Sequence, residues 1–316
     1  MNNMKSNFGF SAIAVGAFAL ALGLAACGDG GSTNGPLNDE ESPSSSSEKD
    51  GSSSSVAPSS SSVILSSSGE ESSSSVASSS SAKNSSSVKA AWAYLNPDID
   101  YGEFTDERDG QVYKTVTIGT QTWMAENLNY AYTGVKYNFS SYTSDSTSWC
   151  YENKASNCDK YGRLYTWSAV MDSAAQFSVN AGTKCGYGKT CTPNSPHRGI
   201  CPEGWHVPTN VEYSTLYTYI GGSSTAGSLL KSTSGWNDYN GKSGNGTDKY
   251  GFSVLPAGNR SRNGNFDTEG SCAYLRSASE FNSYYAWRQS FYNSDDDAYL
   301  YNDFKDYGLS LRCLKD

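Results

Sequence analysis

The stretch that decides the fold is Val112-Tyr-Lys-Thr-Val-Thr-Ile118, followed by Gly119-Thr120 and then by Gln121-Thr-Trp-Met124. β-Branched and aromatic residues, which favour extended strands, fill both of its halves. Two residues, one of them glycine, separate the halves, which is the spacing of a tight β-hairpin. The sequence therefore predicts antiparallel β-structure at the start of the globular part of this 316-residue chain.

Helix signals are fewer than strand signals. Thr209-Asn-Val-Glu212 is a Thr-x-x-Glu capping box, and the helix that it opens is predicted to end at Gly221. A second helix is predicted from about Tyr161 to Met171. The many aromatic, Gly, Asn and Ser residues indicate an α+β domain with short strands and large loops. Later strands are predicted at Phe252–Leu255, Ala273–Arg276, Tyr285–Arg288 and Leu309–Leu314.

The N-terminal segment has the pattern of a lipoprotein signal peptide. A short basic start at Lys5 and an apolar stretch from Phe8 to Leu22 lead to Leu24-Ala25-Ala26-Cys27, which resembles the bacterial lipobox. We expect cleavage before Cys27 and acylation of its sulfur. Gly28 follows the cysteine, and by resemblance to sorted Gram-negative lipoproteins this favours the outer membrane and the cell surface.

Serine dominates the next segment. From 42 to 87, 27 of 46 residues are serine, a composition that cannot bury enough apolar area to offset the entropy of ordering. The sequence thus predicts a signal peptide at 1–26, a lipid-anchored disordered linker at 27–95 and one globular domain at 96–316. Four basic and eight acidic residues precede Pro97, which leaves 19 basic and 24 acidic residues in the domain. This mildly acidic balance argues against nucleic acid as a partner.

Seven cysteines follow Cys27. An exported chain enters an oxidising compartment, so disulfides are the expected state. Proximity in sequence favours the pairs Cys150–Cys158 and Cys185–Cys191, and a Cys201–Cys313 bridge would close most of the C-terminal half. Cys272 is left over, either buried and reduced or paired in a different arrangement.

Five ordered motifs resemble the Fibrobacter succinogenes major paralogous domain family, over a region from about Asp109 to Asp316. They begin at Val116, Tyr161, Cys201, Gly246 and Leu309, and read VTIGTQTWMAENLN, YGRLYTW, CPEGWHVPT, GTDKYGFSVLPAG and LSLRCLKD. The resemblance implies an irregular fold similar to C-type-lectin-like and formylglycine-generating-enzyme-like domains, with about two helices. It carries over no biochemical activity. This chain departs from the family pattern at Tyr274-Leu-Arg-Ser-Ala-Ser-Glu280, where many members have two tryptophans.

No catalytic constellation stands out. The chain has only two histidines, and His206, which lies just before the capping box, is interpreted as a core or turn histidine bonded to the backbone. A thiol-dependent oxidase similar to the formylglycine-generating enzymes would need a reactive cysteine pair, for which Cys272 is a solitary candidate. The prediction is a protein that is not an enzyme and needs no cofactor, with calcium possible at Asp295, Asp296 and Asp297.

The most specific binding signal is aromatic. Tyrosine and tryptophan faces stack on sugar rings, and polar side chains bond the hydroxyls. We expect Trp123, Trp167, Trp205 and Trp287 to be core residues. The candidate ligand contacts are Tyr284, Tyr285, Tyr292, Asn282 and Arg288.

Two functions therefore compete. One is a membrane-anchored binding module for polysaccharide or another surface ligand. The other is a structural component of the cell envelope that docks on a surface protein.

Overall fold

The computed structural model describes residues 89–133, 148–178 and 185–316. The predicted signal peptide, Cys27 and the linker up to residue 88 lie outside these ranges.

The strands are β1 (Gly102–Asp106), β2 (Gln111–Ile118), β3 (Gln121–Met124), β4 (Ser148–Trp149), β5 (Leu164–Tyr165), β6 (Trp205–His206), β7 (Asn259–Arg260), β8 (Phe266–Asp267), β9 (Cys272–Glu280), β10 (Tyr285–Tyr292), β11 (Ala298–Phe304) and β12 (Leu314–Lys315). The helices are α1 (Ala155–Tyr161), α2 (Trp167–Val170), α3 (Asn210–Ile220) and α4 (Ser223–Leu230), with 3-10 helices at Ala90–Tyr94 and Tyr151–Asn153. Within the described residues, every helix is too short or too polar to span a bilayer.

The predicted hairpin is confirmed and forms the centre of a five-stranded sheet. Ile118 pairs directly with Gln121, and Gly119 between them takes a φ of 63°, which a glycine adopts without strain. The strand order is β1-β2-β3-β12-β6, and all of its pairings are antiparallel. The last strand of the chain therefore lies between β3 and β6, so the sheet is complete only when the C-terminal segment has docked.

A three-stranded antiparallel sheet, in the order β11-β10-β9, forms the second layer. Helix α3 packs against it through two tyrosines: the Tyr213 hydroxyl donates to the Arg276 carbonyl at 3.3 Å, and the Tyr217 hydroxyl donates to Gln289 Oε1 at 3.0 Å. The predicted capping box is present, since Thr209 accepts from the Glu212 backbone and Glu212 accepts from the Thr209 backbone. The helix ends at Gly221 in the left-handed conformation, as predicted.

Aromatic side chains fill the core between these layers. Trp123 is fully buried, with the rings of Tyr213 at 5.2 Å and Phe252 at 5.4 Å. Trp167 is also fully buried, and its indole nitrogen donates to the Ser277 carbonyl at 2.8 Å. Trp205 is buried too. Trp287 is only partly buried, so it is not the core residue that the sequence predicted.

The three predicted disulfides are confirmed: Cys150–Cys158, Cys185–Cys191 and Cys201–Cys313. The last bridge spans 112 residues and ties β12 to the segment before β6. Cys272, which the sequence left open, is fully buried in β9. A buried sulfur is not the accessible, reactive thiol that an oxidase of the formylglycine-generating type would need.

The predicted helix from Tyr161 to Met171 is wrong. Helix α1 ends at Tyr161 because Gly162 has a φ of 73° and passes so close to the Leu128 carbonyl that a Cβ would lie 2.8 Å from it. The next residues form β5, and only after Thr166, whose hydroxyl caps α2, does a short helix resume. Tertiary pairing overrides the local helical pattern here.

The later strand predictions are confirmed only in part. The predicted strands Ala273–Arg276 and Tyr285–Arg288 lie inside the longer β9 and β10. In 252–255, only Val254 forms a β-bridge, with Lys231. In 309–314, pairing is reduced to isolated bridges at Leu309 and Ser310 and to the start of β12.

Ordered structure begins before the predicted domain boundary at residue 96. The 3-10 helix Ala90–Tyr94 buries Ala91, and the Trp92 indole nitrogen donates to Glu126 Oε1 at 2.8 Å. Lys89 forms an ion pair with the same carboxylate at 3.0 Å. These contacts attach residues 89–95 to the domain, so these residues do not belong to the predicted linker. The α+β class with short strands and disulfides is confirmed.

Candidate functional site

The turn between β9 and β10 carries the most exposed of the predicted ligand residues. Tyr284 keeps 48% of its surface exposed. Asn282 is exposed as well, but its side-chain oxygen accepts from the backbone N–H groups of Tyr284 at 2.8 Å and Tyr285 at 2.9 Å. The structure thus places Asn282 as the residue that shapes the turn, and Tyr284 as the residue that the turn presents to solvent.

Tyr284 belongs to a group that we call the aromatic surface, formed by Tyr187, Tyr284, Tyr285, Phe304 and Arg262. The ring of Tyr187 lies 5.1 Å from that of Tyr284, and the rings of Tyr285 and Phe304 lie 4.5 Å apart. The Arg262 guanidinium is 4.2 Å from the Phe304 ring and 4.7 Å from the Tyr187 ring. Its charge is balanced by Asp306 at 3.1 Å. The result is a continuous face of rings with a cation over it.

The loop closed by Cys185–Cys191 holds Tyr187 in this surface. The backbone N–H of Gly188 donates to the Ser283 carbonyl at 2.8 Å, which joins the loop to the β9–β10 turn. The buried Lys305 ammonium donates to the Lys189 carbonyl at 2.7 Å and pairs with Glu280. Burial lowers the pKa of Lys305, and the Glu280 partner opposes that shift. The aromatic surface is therefore held rigid by a disulfide and by a buried ion pair.

Two predicted ligand residues are in the wrong place for binding. Tyr292 is 7% exposed and Arg288 is 3% exposed. The Arg288 guanidinium pairs with Asp303 at 3.0 Å and lies 4.2 Å from the Tyr274 ring. The reason is that side chains of the two neighbouring strands cover these residues: Tyr274 of β9 lies over Arg288, and the Tyr299 ring of β11 lies 5.5 Å from that of Tyr292.

The three candidate calcium ligands are not gathered around one point. Within the described residues, no group of three His, Cys, Asp or Glu side chains could hold a metal ion. The Asp295 carboxylate accepts instead from the Asp297 backbone at 3.2 Å and from the Tyr299 hydroxyl at 3.3 Å. The buried Lys231 ammonium donates to the carbonyls of Tyr292 and Asp295, both at 2.9 Å. A lysine cation thus satisfies carbonyl oxygens of this loop.

The histidines have structural partners. His197 is buried, and its Nε2 bonds the Met171 carbonyl at 3.0 Å. His206 does not bond the backbone as predicted but lies between two carboxylates, with Asp316 at 2.7 Å and Glu212 at 2.9 Å. Burial lowers the pKa of His206, but the hydrogen bonds to both carboxylates outweigh it, so the net pKa is raised. His206 therefore links Asp316 to Glu212, which belongs to the capping box of α3.

Sequence reasoning missed most of the aromatic surface. Tyr187, Arg262 and Phe304 come from three distant parts of the chain, and no local pattern relates them. Tyr299 and Tyr301 on β11 were noted in the sequence as further aromatic residues, and the structure shows that their rings stack 5.6 Å apart at 10°. Only the strand alternation of these two residues could have indicated that they share one face.

The comparisons with known proteins identify a family. A family model described as the Fibrobacter succinogenes major domain matches residues 116–315, more than half of the chain. No curated protein and no solved structure matches the chain. The likeness to C-type-lectin-like domains therefore stays a prediction.

Proposed function

This chain belongs to the Fibrobacter succinogenes major domain family, and from that premise we propose that it is a non-enzymatic cell-surface module that binds polysaccharide. One observation carries the proposal: the Tyr284 ring is about half exposed and yet is held in place against Tyr187. Apolar side chains that cluster at a protein surface mark sites of interaction more often than those that are scattered singly. Because the rings are already ordered, little conformational entropy is lost when a ligand stacks on them.

The chemistry of the aromatic surface suits a sugar polymer. Ring faces offer apolar contact to the C–H faces of pyranose rings, while the tyrosine hydroxyls and the Arg262 guanidinium offer hydrogen bonds to their hydroxyl groups. We therefore propose a stretch of polysaccharide, stacked along these rings, as the ligand.

Display at the cell surface is the second part of the proposal. Acylation of Cys27 anchors the chain, since each buried methylene contributes about 0.8 kcal/mol. The serine-rich composition of 42–87 suits a spacer between the anchor and the domain. The proposed anchor requires that the Cys27 sulfur is bonded to the lipid as a thioether. Mass spectrometry of peptides from the membrane fraction tests it, and recovery of Cys27 in a disulfide would overturn the anchor.

Ligand binding is tested with Tyr284→Ala in retention assays on cellulose, xylan and pectin and on a glycan array. We expect apparent affinity to fall about tenfold, equivalent to about 1.4 kcal/mol. Tyr219→Ala is the matched control, because Tyr219 is a comparably exposed tyrosine (60%) on α3, outside the aromatic surface. Failure of the unmodified chain to bind any glycan, with and without calcium, would remove the proposal.

Docking on an envelope protein is the second candidate, and a separate observation favours it. Helix α3 exposes Val211 at 73% and Tyr219 at 60%. Cross-linking in intact cells tests this candidate: capture of one protein that is lost in Val211→Asp supports it, and capture of polysaccharide alone counts against it.

A further inference from the structure

Strand β11 is the outer strand of the three-stranded sheet, with β10 on one side. The backbone N–H of Lys305 donates to the Tyr284 carbonyl at 2.9 Å, which identifies 284 and 305 as a hydrogen-bonded pair. Antiparallel pairs alternate between bonded and non-bonded, and the register runs without a shift from Tyr285↔Phe304 to Phe291↔Ala298. The backbone groups of Tyr299, Tyr301 and Asp303 therefore point to β10. Those of Leu300 and Asn302 point away from the sheet.

Helix α4 packs beside the start of β11, where Ala298 is buried, but the rest of this edge lacks the usual protection. Natural edge strands are guarded by lysine, proline, a bulge or a covering element. The seven residues Ala298–Phe304 contain no lysine or proline, and Leu300 and Tyr301 are each 46% exposed. Among the described residues, no backbone hydrogen bond is made by Leu300 or Asn302 on the outer side. The edge thus presents the outward backbone groups of Leu300 and Asn302 beside exposed side chains, whereas those of Phe304 are bonded to Asp303 and Arg276.

The same edge is complementary to itself. If two copies pair antiparallel about the strand midpoint, Tyr301, all seven residues overlap. Leu300 then lies opposite Asn302 of the other copy, and both carry outward backbone groups, as a hydrogen-bonded pair requires. Tyr299 lies opposite Asp303, where a hydroxyl faces a carboxylate, and no two like charges are opposed.

We propose that β11 is the edge at which two copies of this chain pair, antiparallel about Tyr301, to form one six-stranded sheet across a two-fold axis. Such an isologous contact closes on itself, so it gives a dimer and no fibre. Anchoring both copies in one membrane raises their effective concentration.

The pairing also deepens the proposed function, on which this consequence rests. Phe304 of the aromatic surface lies three residues from the axis. Six strand residues at about 3.4 Å each separate the two Phe304 positions by about 20 Å. A dimer therefore presents two aromatic surfaces at a spacing that one extended polysaccharide chain can bridge, which favours polymeric over monomeric sugars.

Cross-linking of the full exported chain in mild detergent tests the geometry. In the Tyr301-centred register the two 301 positions form a non-bonded pair with Cα atoms about 4.5 Å apart, so Tyr301→Cys is expected to yield a covalent dimer on mild oxidation. Leu300→Cys is the matched control, because Leu300 is equally exposed but its two copies lie about 8 Å apart, beyond disulfide reach. A covalent dimer in Leu300→Cys and none in Tyr301→Cys would overturn the register.

Light scattering after size exclusion tests the pairing without any ligand, so its failure is distinguishable from failure of glycan binding. The unmodified chain is expected to run as a dimer and Leu300→Pro as a monomer, because proline removes an outward N–H that the β10–β11 pairing does not use. A monomer at every concentration overturns the proposal. So does a dimer that persists in Leu300→Pro, or capture of an extended peptide by a monomeric chain.

Discussion

Tyrosine is buried on the five-stranded sheet, whereas the three-stranded sheet has both buried and exposed tyrosines. On the five-stranded sheet, Tyr113 is fully buried and its hydroxyl accepts from the Asn129 backbone N–H at 3.0 Å. Around the three-stranded sheet, Tyr284 and Tyr301 are nearly half exposed. The same amphipathic side chain therefore serves as core or as surface, and what decides is whether other segments of the chain pack over its ring.

The two sheets also differ in which parts of the chain supply their strands. The five-stranded sheet needs β12 from the end of the chain, and the Cys201–Cys313 bridge fastens it. The three-stranded sheet is built from strands that follow one another in sequence, with β11 left as a free edge. From this difference we infer that the first sheet carries the stability of the domain and that the second is available for binding.

The largest effect is expected from the double variant Cys201→Ala/Cys313→Ala. A closed loop of 112 residues contributes about 5 kcal/mol in the chain-entropy model, because the bridge restricts the unfolded chain. Thermal and denaturant unfolding of the two forms measure the loss. The control is Cys150→Ala/Cys158→Ala, whose short loop contributes about 2 kcal/mol. Equal losses in the two variants would contradict the unequal roles of the sheets.

The second comparison replaces one aromatic residue in each sheet. Trp123→Ala removes a fully buried ring, and we expect the free energy of unfolding to fall by about 3–5 kcal/mol. Tyr301→Ala removes a half-exposed ring, and the expected loss is below about 1 kcal/mol. Both values come from denaturant titration of the monomeric Leu300→Pro background. A large loss in Tyr301→Ala would show that β11 is part of the stabilising core.

The third prediction separates stability from binding. Cys185→Ala/Cys191→Ala is expected to lower the free energy of unfolding by about 2 kcal/mol, as for any short loop. Because this bridge holds Tyr187 against Tyr284, affinity for polysaccharide is expected to fall about tenfold as well. Retention assays below the unfolding temperature measure the second effect, with Cys150→Ala/Cys158→Ala as control. Unchanged affinity would mean that the loop does not order the aromatic surface.

The smallest effect is a pH dependence at His206. Its folded pKa is raised, so the stabilisation is fully present below the unfolded value of about 6.5 and is lost as the pH rises through the folded pKa. Asp316 is half exposed, and solvent screening limits the expected change to about 1 kcal/mol. His206→Gln is expected to flatten the fall in stability above neutral pH.

Comparing the unmodified chain with His206→Gln separates the pH dependence due to His206 from that due to Asp248. Burial raises the pKa of Asp248 to about 6, so Asp248 lowers stability as the pH rises from about 4 to 6, in both forms alike. A slope above neutral pH that is unchanged in His206→Gln would rule out the histidine as its source.

Local sequence signals were sufficient to predict the elements whose contacts are made between residues close together in the sequence. The β2–β3 hairpin follows from strand residues on either side of a glycine turn, and α3 follows from its capping box. The helix predicted at 161–171 failed because residues 164 and 165 pair with strand β4, whose sequence carries no sign of that partner. Tyr292 and Arg288 failed as ligand residues for a similar reason, since the side chains that cover them, Tyr299 and Tyr274, come from other strands.

The sequence by itself determined the class of the domain, its three disulfides, its capped helix and its family, because spacing, caps and cysteine proximity act over short distances or are carried by recognisable motifs. Tertiary structure alone decided which aromatic rings are buried, where the aromatic surface lies and that β11 is an edge. Burial depends on what the rest of the chain places against a residue. That information is spread over contacts between segments far apart in the chain, and no local pattern contains it.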